Sequence, residues 1–495
     1  MAKGAQVQLF GVGVGEPAKS LNVTAASRTN VYYDIQPAPG DKSQISVFGT
    51  PGLTLLGSLP NPDLPINAAY SLADGSRTFF IQDKCLYEIN IFGISSQVAT
   101  LSSAPIYPCE MADNGVELLI TTWSSYTYCF DLASNTLQIA VFDGTPGQYV
   151  EAVSCTFQDG YFIVALTKDN TPGYPRGVYV SGLYSGMSWS SLDFAVPEFM
   201  SDEITKVYSK NGLLYVFGTR TTEVWQNIGD LNFPFQRVQG AQSEYGLFAR
   251  MSLISVGSQM AGLFLNRQNS CSIMMLSGYQ FNDVTPPDLS WRLNSQPYLT
   301  LTTSFAYSVA GHDFVQFEIV DATGTDGETW LYDTLSGVWS FTKSGSNSRH
   351  LGRYGVAFFN QAAQYVVTDY RNGNFYTIDS NSYSDNGETN ERELIGNHIF
   401  LPDRGTFRIS SISLDIEQGS APTGVDMRVR LSLSRDGGHT FEEEYEDVST
   451  TGEYTRFFQF NRLGRARDIV PKIRMTDPCK FVLIGAVADI SPYGW

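Results

Sequence analysis

Positive charge is scarce in this chain: 32 Lys and Arg stand against 50 Asp and Glu, a formal charge of −18 over 495 residues. Such a surface does not grip nucleic acid by neutralising phosphates. It leaves open a wall past which DNA slides without sticking. Cysteine is scarce too. The six residues Cys85, Cys109, Cys129, Cys155, Cys271 and Cys479 are scattered and form no CxxC pair. That predicts buried free thiols rather than a disulfide framework. The four histidines, His312, His350, His398 and His439, have no i,i+4 or H-x-H spacing, so neither a zinc site nor a histidine base is expected. No serine sits in a G-x-S-x-G context, and no nucleophile, base and orienter assemble. "GVGVG", Gly11 to Gly15, lacks the G-x-G-x-x-G spacing and reads as a flexible arm. "DATGTDGE", Asp321 to Glu328, matches no EF-hand and reads as a solvated turn. No apolar run has bilayer-spanning length, and "MAKGAQVQLFGVGVGEPAKS" lacks the basic and apolar regions of a signal peptide. A soluble protein made in the cytoplasm is expected, with "NVT" at Asn22 a chance glycosylation match.

What the chain does hold is 45 Gly, 22 Pro, 27 Tyr and 31 Phe, which point to β-structure rich in turns. Short apolar runs recur between turn signals, as in "RTFFIQDKCLYEINIFG", "GVELLITTWSSYTYCFDLASNTL" and "NGLLYVFGTRTTEVWQNIG". The clearest unit, Thr329 to Phe341, sets Trp330 and Tyr332 against Val338 and Ser340 around a "DTLSG" hairpin. Seven units are legible, at roughly the 35–50-residue spacing of propeller blades. The expected fold is all-β: a six- or seven-bladed β-propeller with an added C-terminal β-sandwich domain. A large sandwich, or several unrelated β-domains, is the alternative. Residues 1–60 are expected as an N-terminal arm and first strands, 61–385 as the propeller and 391–495 as the sandwich. The polar stretch Ser380 to Gly396 reads as a linker. Beyond it, Val425, Met427, Val429, Leu431 and Leu433 alternate with polar residues, as in a half-buried strand.

In "GTPG", Thr50, Pro51 and Gly52 predict a scaffold turn, Pro51 pre-setting it and Gly52 supplying positive φ. "SRDGGHTF", Ser434 to Phe441, resembles the Asp-box of sialidase-type propellers. There an aspartate accepts backbone N–H bonds across a tight hairpin and an aromatic packs beneath; Asp436, Gly438, Thr440 and Phe441 take those places. The catalytic arginines and nucleophilic tyrosine of that family cannot be placed, so a structural turn is predicted. The densest basic stretch, Asn461 to Arg474, carries Arg462, Arg465, Arg467, Lys472 and Arg474. It reads as a solvated strand edge or a docking patch for an acidic partner, since no aromatic platform for stacked bases accompanies it.

"NVYYDIQPAPGDKSQISVFGTPGL", Asn30 to Leu53, resembles the N-terminal signature of the phage packaged-DNA stabilisation protein family. "LYVFGTRTTEVWQNIG", with Gly218, Thr222, Glu223 and Trp225, is similar to its central strand pair. "YGLFARMSLISVGSQMAGLF", with Gly246, Ala249 and Ser252, follows in order, and "RLGRARDIVPKIRMTDPCKFVLIGAVADI" is similar to its C-terminal strand pair. The resemblance implies a propeller with an added β-domain, in a structural virion protein built into the tail of a short-tailed phage. It implies a homo-oligomeric ring, typically a hexamer, below the portal and its adaptor ring. Such a nozzle closes the DNA exit channel after packaging and carries distal needle, spike or fibre proteins. Genomic DNA passes its lumen without sequence-specific binding. No catalytic residue, cofactor or metal is implied. The basic segment is then expected to contact the adaptor or a neighbouring subunit. The alternative is a carbohydrate-binding or depolymerase-like propeller adhesin using exposed Trp and Tyr.

Overall fold

Short apolar runs such as Thr78–Gln82 and Cys85–Ile89 pair as antiparallel meanders. The computed structural model describes the chain except residues 1–4, 11–19, 36–44, 124–125, 168–173, 200–201, 231–232, 296–298, 322–326, 359–363, 419–424, 451, 455 and 493–495. The "GVGVG" segment and most of "DATGTDGE" thus lie outside the described residues.

Among the described residues, seven meanders form blades I to VII, at 68–100, 110–139, 154–195, 204–243, 245–283, 303–342 and 352–379. Six contribute their own four layers of strand, blade V with a split first strand. Blade VII supplies three, and its fourth is Gly52–Ser58, which pairs with Asn374–Asp379. A strand from the start of the chain therefore closes the ring. Each blade buries its faces against its neighbours. Phe79 of blade I meets Phe130 of blade II edge to face at 5.7 Å, and across the closure Phe80 meets Phe375 of blade VII at 5.2 Å. Asp131, Asp333 and Asp379 end the third strands of their blades. Their carboxylates accept the N–H of Ala133, Leu335 and Asn381 at 3.1, 3.0 and 2.8 Å, which is why "FD", "YD" and "ID" recur before turns. A helix, Pro287–Ser295, buries Leu289 and Leu293 between blades V and VI. All six cysteines are free, Cys85 half-buried and the others buried.

The sandwich draws strands from both ends of the chain. One sheet runs Val31–Ile35, Ile45–Gly49, Val482–Pro492, Phe407–Ile416 and Phe458–Ala466, with Ala5–Gln8 also on the Val482–Pro492 strand. The facing sheet runs Ser27–Thr29, Arg392–Ile395, Asp468–Met475, Met427–Ser434 and Tyr445–Ser449. Ile412, Leu414, Val429, Leu431, Ile473 and Ala488 fill the space between them. The facing sheet does not stop at the domain boundary. Thr29 pairs in parallel with Phe341 of blade VI and antiparallel with Glu393, so blade VI and the sandwich share one ten-stranded sheet.

Asn30 holds that junction. It is buried with φ 54°, a left-handed conformation that asparagine tolerates. Its Nδ2 donates to the Lys343 and Glu391 carbonyls at 2.9 and 2.8 Å, and its Oδ1 accepts the Lys343 N–H at 2.9 Å. Its carbonyl accepts the Thr50 N–H at 2.9 Å.

Two sequence expectations are corrected here. Thr50, Pro51 and Gly52 form no hairpin: they carry the chain from Ile45–Gly49 in the sandwich to Gly52–Ser58 in blade VII. Gly52 is not in the positive-φ region. It is glycine because a Cβ would lie 2.5 Å from the Ser384 carbonyl oxygen. Ser380 to Gly396 is not a loose linker either. Asp385, Asn390 and Arg392 are buried in it, with Ser344 Oγ donating to Asp385 at 2.7 Å and Arg392 donating to the Tyr383 carbonyl at 3.0 Å. Polarity there serves internal hydrogen bonds, not solvent.

Asn30→Ala strands three buried backbone groups and is expected to lower stability by about 3 kcal/mol. Urea unfolding measures this; a variant as stable as wild type would show that the junction is held by other contacts.

Candidate functional site

The first strands of the blades surround a cavity of about 420 Å³, lined by Tyr70, Met111, Phe157, Tyr208, Ser304 and Tyr354 among others. Glu110 and Lys206 stand in its wall. Glu110 begins the inner strand of blade II and Lys206 lies on that of blade IV, so ring geometry brings them together. Lys206 Nζ is 2.9 Å from Glu110 Oε1 and donates to the Arg250 carbonyl at 3.3 Å. Ser154 of blade III donates to Glu110 Oε2 at 2.6 Å. Arg250, from the turn inside blade V, puts Nε 3.5 Å from Glu110 and donates to the carbonyls of Pro108, at 3.0 Å, and Val153. Its guanidinium lies 4.5 Å from the Trp123 ring, which packs against Tyr107 at 4.4 Å with the rings tilted by 46°. Four blades are thus stapled through one carboxylate. A second buried carboxylate, Glu318 of blade VI, holds Arg349, holds Arg353 at 3.2 Å, and accepts from Thr303 at 2.9 Å.

Burial pushes the Cys109 and Cys155 thiols up to about 12, so neither is a thiolate nucleophile. His350 is lowered by burial, and its Nδ1 accepts the Gly352 N–H at 3.1 Å. His312 lies 2.9 Å from Asp333, and His398 bridges Asp468 and the Leu21 carbonyl at 2.8 Å each. Among the described residues, no three His, Cys, Asp or Glu converge to hold a metal.

The basic segment divides. Lys472 lies 3.8 Å from Glu393 and 4.3 Å from the Phe441 ring, and Arg474 is 3.3 Å from both Glu391 and Glu444. These two are internal partners. Arg462, Arg465 and Arg467 are exposed, on the sheet edge Phe458–Ala466 and the corner after it. The Asp-box turn lies next to them. Asp436 Oδ1 accepts the N–H of His439 and Thr440 at 3.0 and 2.9 Å, and Thr440 Oγ1 donates to Oδ2 at 2.6 Å. Gly438 turns at φ 92°. These bonds hold the exposed Asp436 carboxyl well below the usual carboxylate range.

Sequence reasoning did not single out Glu110, Lys206 or Arg250. One signal was present: Arg250 is the only charge in "YGLFARMSLISVGSQMAGLF". A lone charge in an apolar stretch needs a buried counter-ion.

Comparison with known proteins adds the following. A family model described as "Bacteriophage P22 Gp10, beta-propeller" matches residues 50–383, and one described as "Bacteriophage P22 Gp10, beta-sandwich" matches residues 391–491. No curated protein matches the sequence. Solved structures of similar shape include the extracellular domain of a putative hybrid two-component system from B. thetaiotaomicron, at 10% identity and TM-score 0.43, covering 66% of this chain and 39% of that one. The chain thus spans well under half of that protein. A chain of the mitotic checkpoint complex aligns at 9% identity and TM-score 0.41, over 69% of this chain and 96% of that one. A computationally designed protein, Ika8, aligns at 12% identity and TM-score 0.36, over 66% and 99%.

Glu110→Gln leaves Lys206 and Arg250 buried without their counter-ion. A loss of about 3–5 kcal/mol is expected by denaturant titration, and an unchanged midpoint would mean water compensates both cations. Asp436 tests differently. Its folded pKa lies below its ordinary 3.8, so it stabilises the fold above that value, and the contribution fades as pH falls through the folded value. Asp436→Asn should therefore melt lower than wild type at neutral pH, with the gap narrowing below about pH 4. A gap constant with pH would refute the assignment.

Proposed function

The chain belongs to the bacteriophage P22 Gp10 family, and from that premise we propose that it forms the nozzle of a short phage tail. Membership makes it a structural tail protein of a virion, as the resemblance read from the sequence implied. In the proposal, copies assemble into a ring, a hexamer by that resemblance, beneath the portal and its adaptor. The ring retains packaged DNA, carries distal tail parts and later conducts the genome outward. Synthesis takes place in the host cytoplasm.

The observation that carries this reading is the ordered match of both bodies, propeller then sandwich, to one family. The geometry adds two physical arguments. The cavity on the propeller axis, about 420 Å³ and walled by the Glu110–Lys206 pair, is far too small for a duplex. DNA therefore runs between copies, not through one propeller. A net charge of −18 supports the proposal of a lumen that repels the phosphate backbone, in which retention is steric and ejection fast.

A second reading has one observation in its favour. Trp123, 41% exposed and packed at a tilt against Tyr107, offers the kind of aromatic face that binds sugars. In that case the chain is a glycan-binding tail adhesin.

Particles assembled without this protein are expected to fill with DNA and then lose it, read as nuclease-sensitive genome. Particles that keep their DNA and fail to adsorb would replace the nozzle with the adhesin. Binding on a glycan array, lost in Trp123→Ala, would say the same.

A further inference from the structure

We propose that a cavity where the propeller meets the sandwich binds a small carboxylate with a compact apolar body, and that the buried Arg392 recognises its charge. The site is separate from the axial cavity, and the inference goes beyond the nozzle reading without depending on it.

The cavity holds about 170 Å³ and draws its walls from both bodies. Ala310 comes from a turn of blade VI, Ser380 from the stretch after blade VII, and Phe48 and Phe481 from the sandwich. Ala310 and Ser380 are exposed and mark its mouth. Arg392, 1% exposed, lies at its floor. Among the described residues, Arg392 is the largest side chain that the fold buries completely.

Its surroundings differ from those of the buried cations at the axis. Lys206 and Arg250 share the Glu110 carboxylate. Arg392 has no carboxylate at ion-pair distance. Its Nη1 donates to the Asp477 carbonyl at 3.3 Å and its Nη2 to the Tyr383 carbonyl at 3.0 Å, while its Nε–H meets no acceptor. A guanidinium carries five N–H donors, so most of this one's capacity is unused. Asp385 acts on it electrostatically. That carboxyl, however, accepts from Ser344 and Asn390 at 2.7 and 3.3 Å, and burial pushes its own pKa up, which weakens it as a counter-charge. Burial lowers the Arg392 pKa to about 10, so the group is still a cation at neutral pH. A buried cation without a counter-charge is strongly destabilising. Gly49 makes room for the guanidinium: a Cβ there would lie 3.1 Å from Arg392 Nε.

Charge, shape and volume identify the ligand. A planar guanidinium matches a carboxylate. The walls above it carry the rings of Tyr32, Phe48, Tyr383 and Phe481, which suit an apolar body rather than a second charge. Lys480 at the rim is held by Glu417 at 2.8 Å, and Asp34, next to Tyr32 on its strand, lies 3.8 Å from His312. Arg392 is therefore the charge that the cavity offers. An apolar cavity of about 150 Å³ accepts a benzene ring, so this one fits a single carboxylate on a body of that size. Inorganic phosphate would leave the aromatic walls unused. A ligand seated here touches blade VI and the sandwich together.

The test uses benzoate as the probe, with the purified full chain and with benzamide as the uncharged counterpart. Binding is read by isothermal titration calorimetry and by the melting midpoint. Benzoate should bind wild type and raise its midpoint above that in sodium chloride of equal ionic strength, and benzamide should bind about tenfold or more weakly. Arg392→Met should lose the preference for benzoate. Ser380→Trp, at the exposed mouth, should block both ligands while melting like wild type in their absence. If Arg392→Met fails to fold, the two ligands on wild type and the block by Ser380→Trp still decide. Absence of benzoate binding, equal binding of benzamide, or a benzoate preference that survives Arg392→Met overturns the proposal. So does benzoate binding that Ser380→Trp leaves intact, which would put the site elsewhere. None of these readouts involves genome retention, so the site stands or falls apart from the nozzle.

Discussion

A single asparagine conformation decides how the two halves of this protein meet. At Asn30 the chain must leave a strand added to blade VI and enter the opposite sheet of the sandwich within one residue. A left-handed backbone allows that change of direction, and the carboxamide satisfies the backbone groups of Lys343 and Glu391 that the turn exposes. With that residue fixed, Ser27–Thr29 can bridge blade VI to Arg392–Ile395, and the propeller and sandwich become one continuous sheet. The path then returns through Thr50 to close blade VII.

Much of the fold was legible in the sequence because β-structure writes a period of two and punctuates it. The alternation at Val425 to Leu433, the "DTLSG" hairpin and the recurrent aspartates before turns all correspond to real strands and Asx turns. What the sequence hid was partnership across distance. Strand pairings such as Gly52–Ser58 with Asn374–Asp379 leave no local mark. Gly52 reads equally well as a turn glycine or as a close-approach glycine, and only the Ser384 carbonyl decides. Ser380 to Gly396 reads as a linker because polarity is the same signal for solvent and for a buried hydrogen-bond network.

The candidate sites follow the same rule. The basic run 462–474 is visible as composition, but its Lys472 and Arg474 turn out to face Glu393 and Glu391 within the fold. At the axis, Glu110, Lys206 and Arg250 are spread over 140 residues and carry no spacing signature. Buried charges of this kind are costly unless each is paired. Here one carboxylate serves two cations and a serine, so four blades share one electrostatic knot.

The borrowed strand in blade VII also has a bearing on time. Residues 52–58 emerge from the ribosome long before 374–379, and residues 27–49 before their partners at 392–490. Val31–Ile35 and Ile45–Gly49 can pair with each other at once, but Gly52–Ser58 must wait for Asn374–Asp379. Contacts of such long sequence separation fold slowly and leave strand edges exposed meanwhile. The ring cannot lock until Asn374–Asp379 has been made, so a chain cut short of that strand has an open propeller. Closure of the propeller thereby reports that strands from both of its ends have been made.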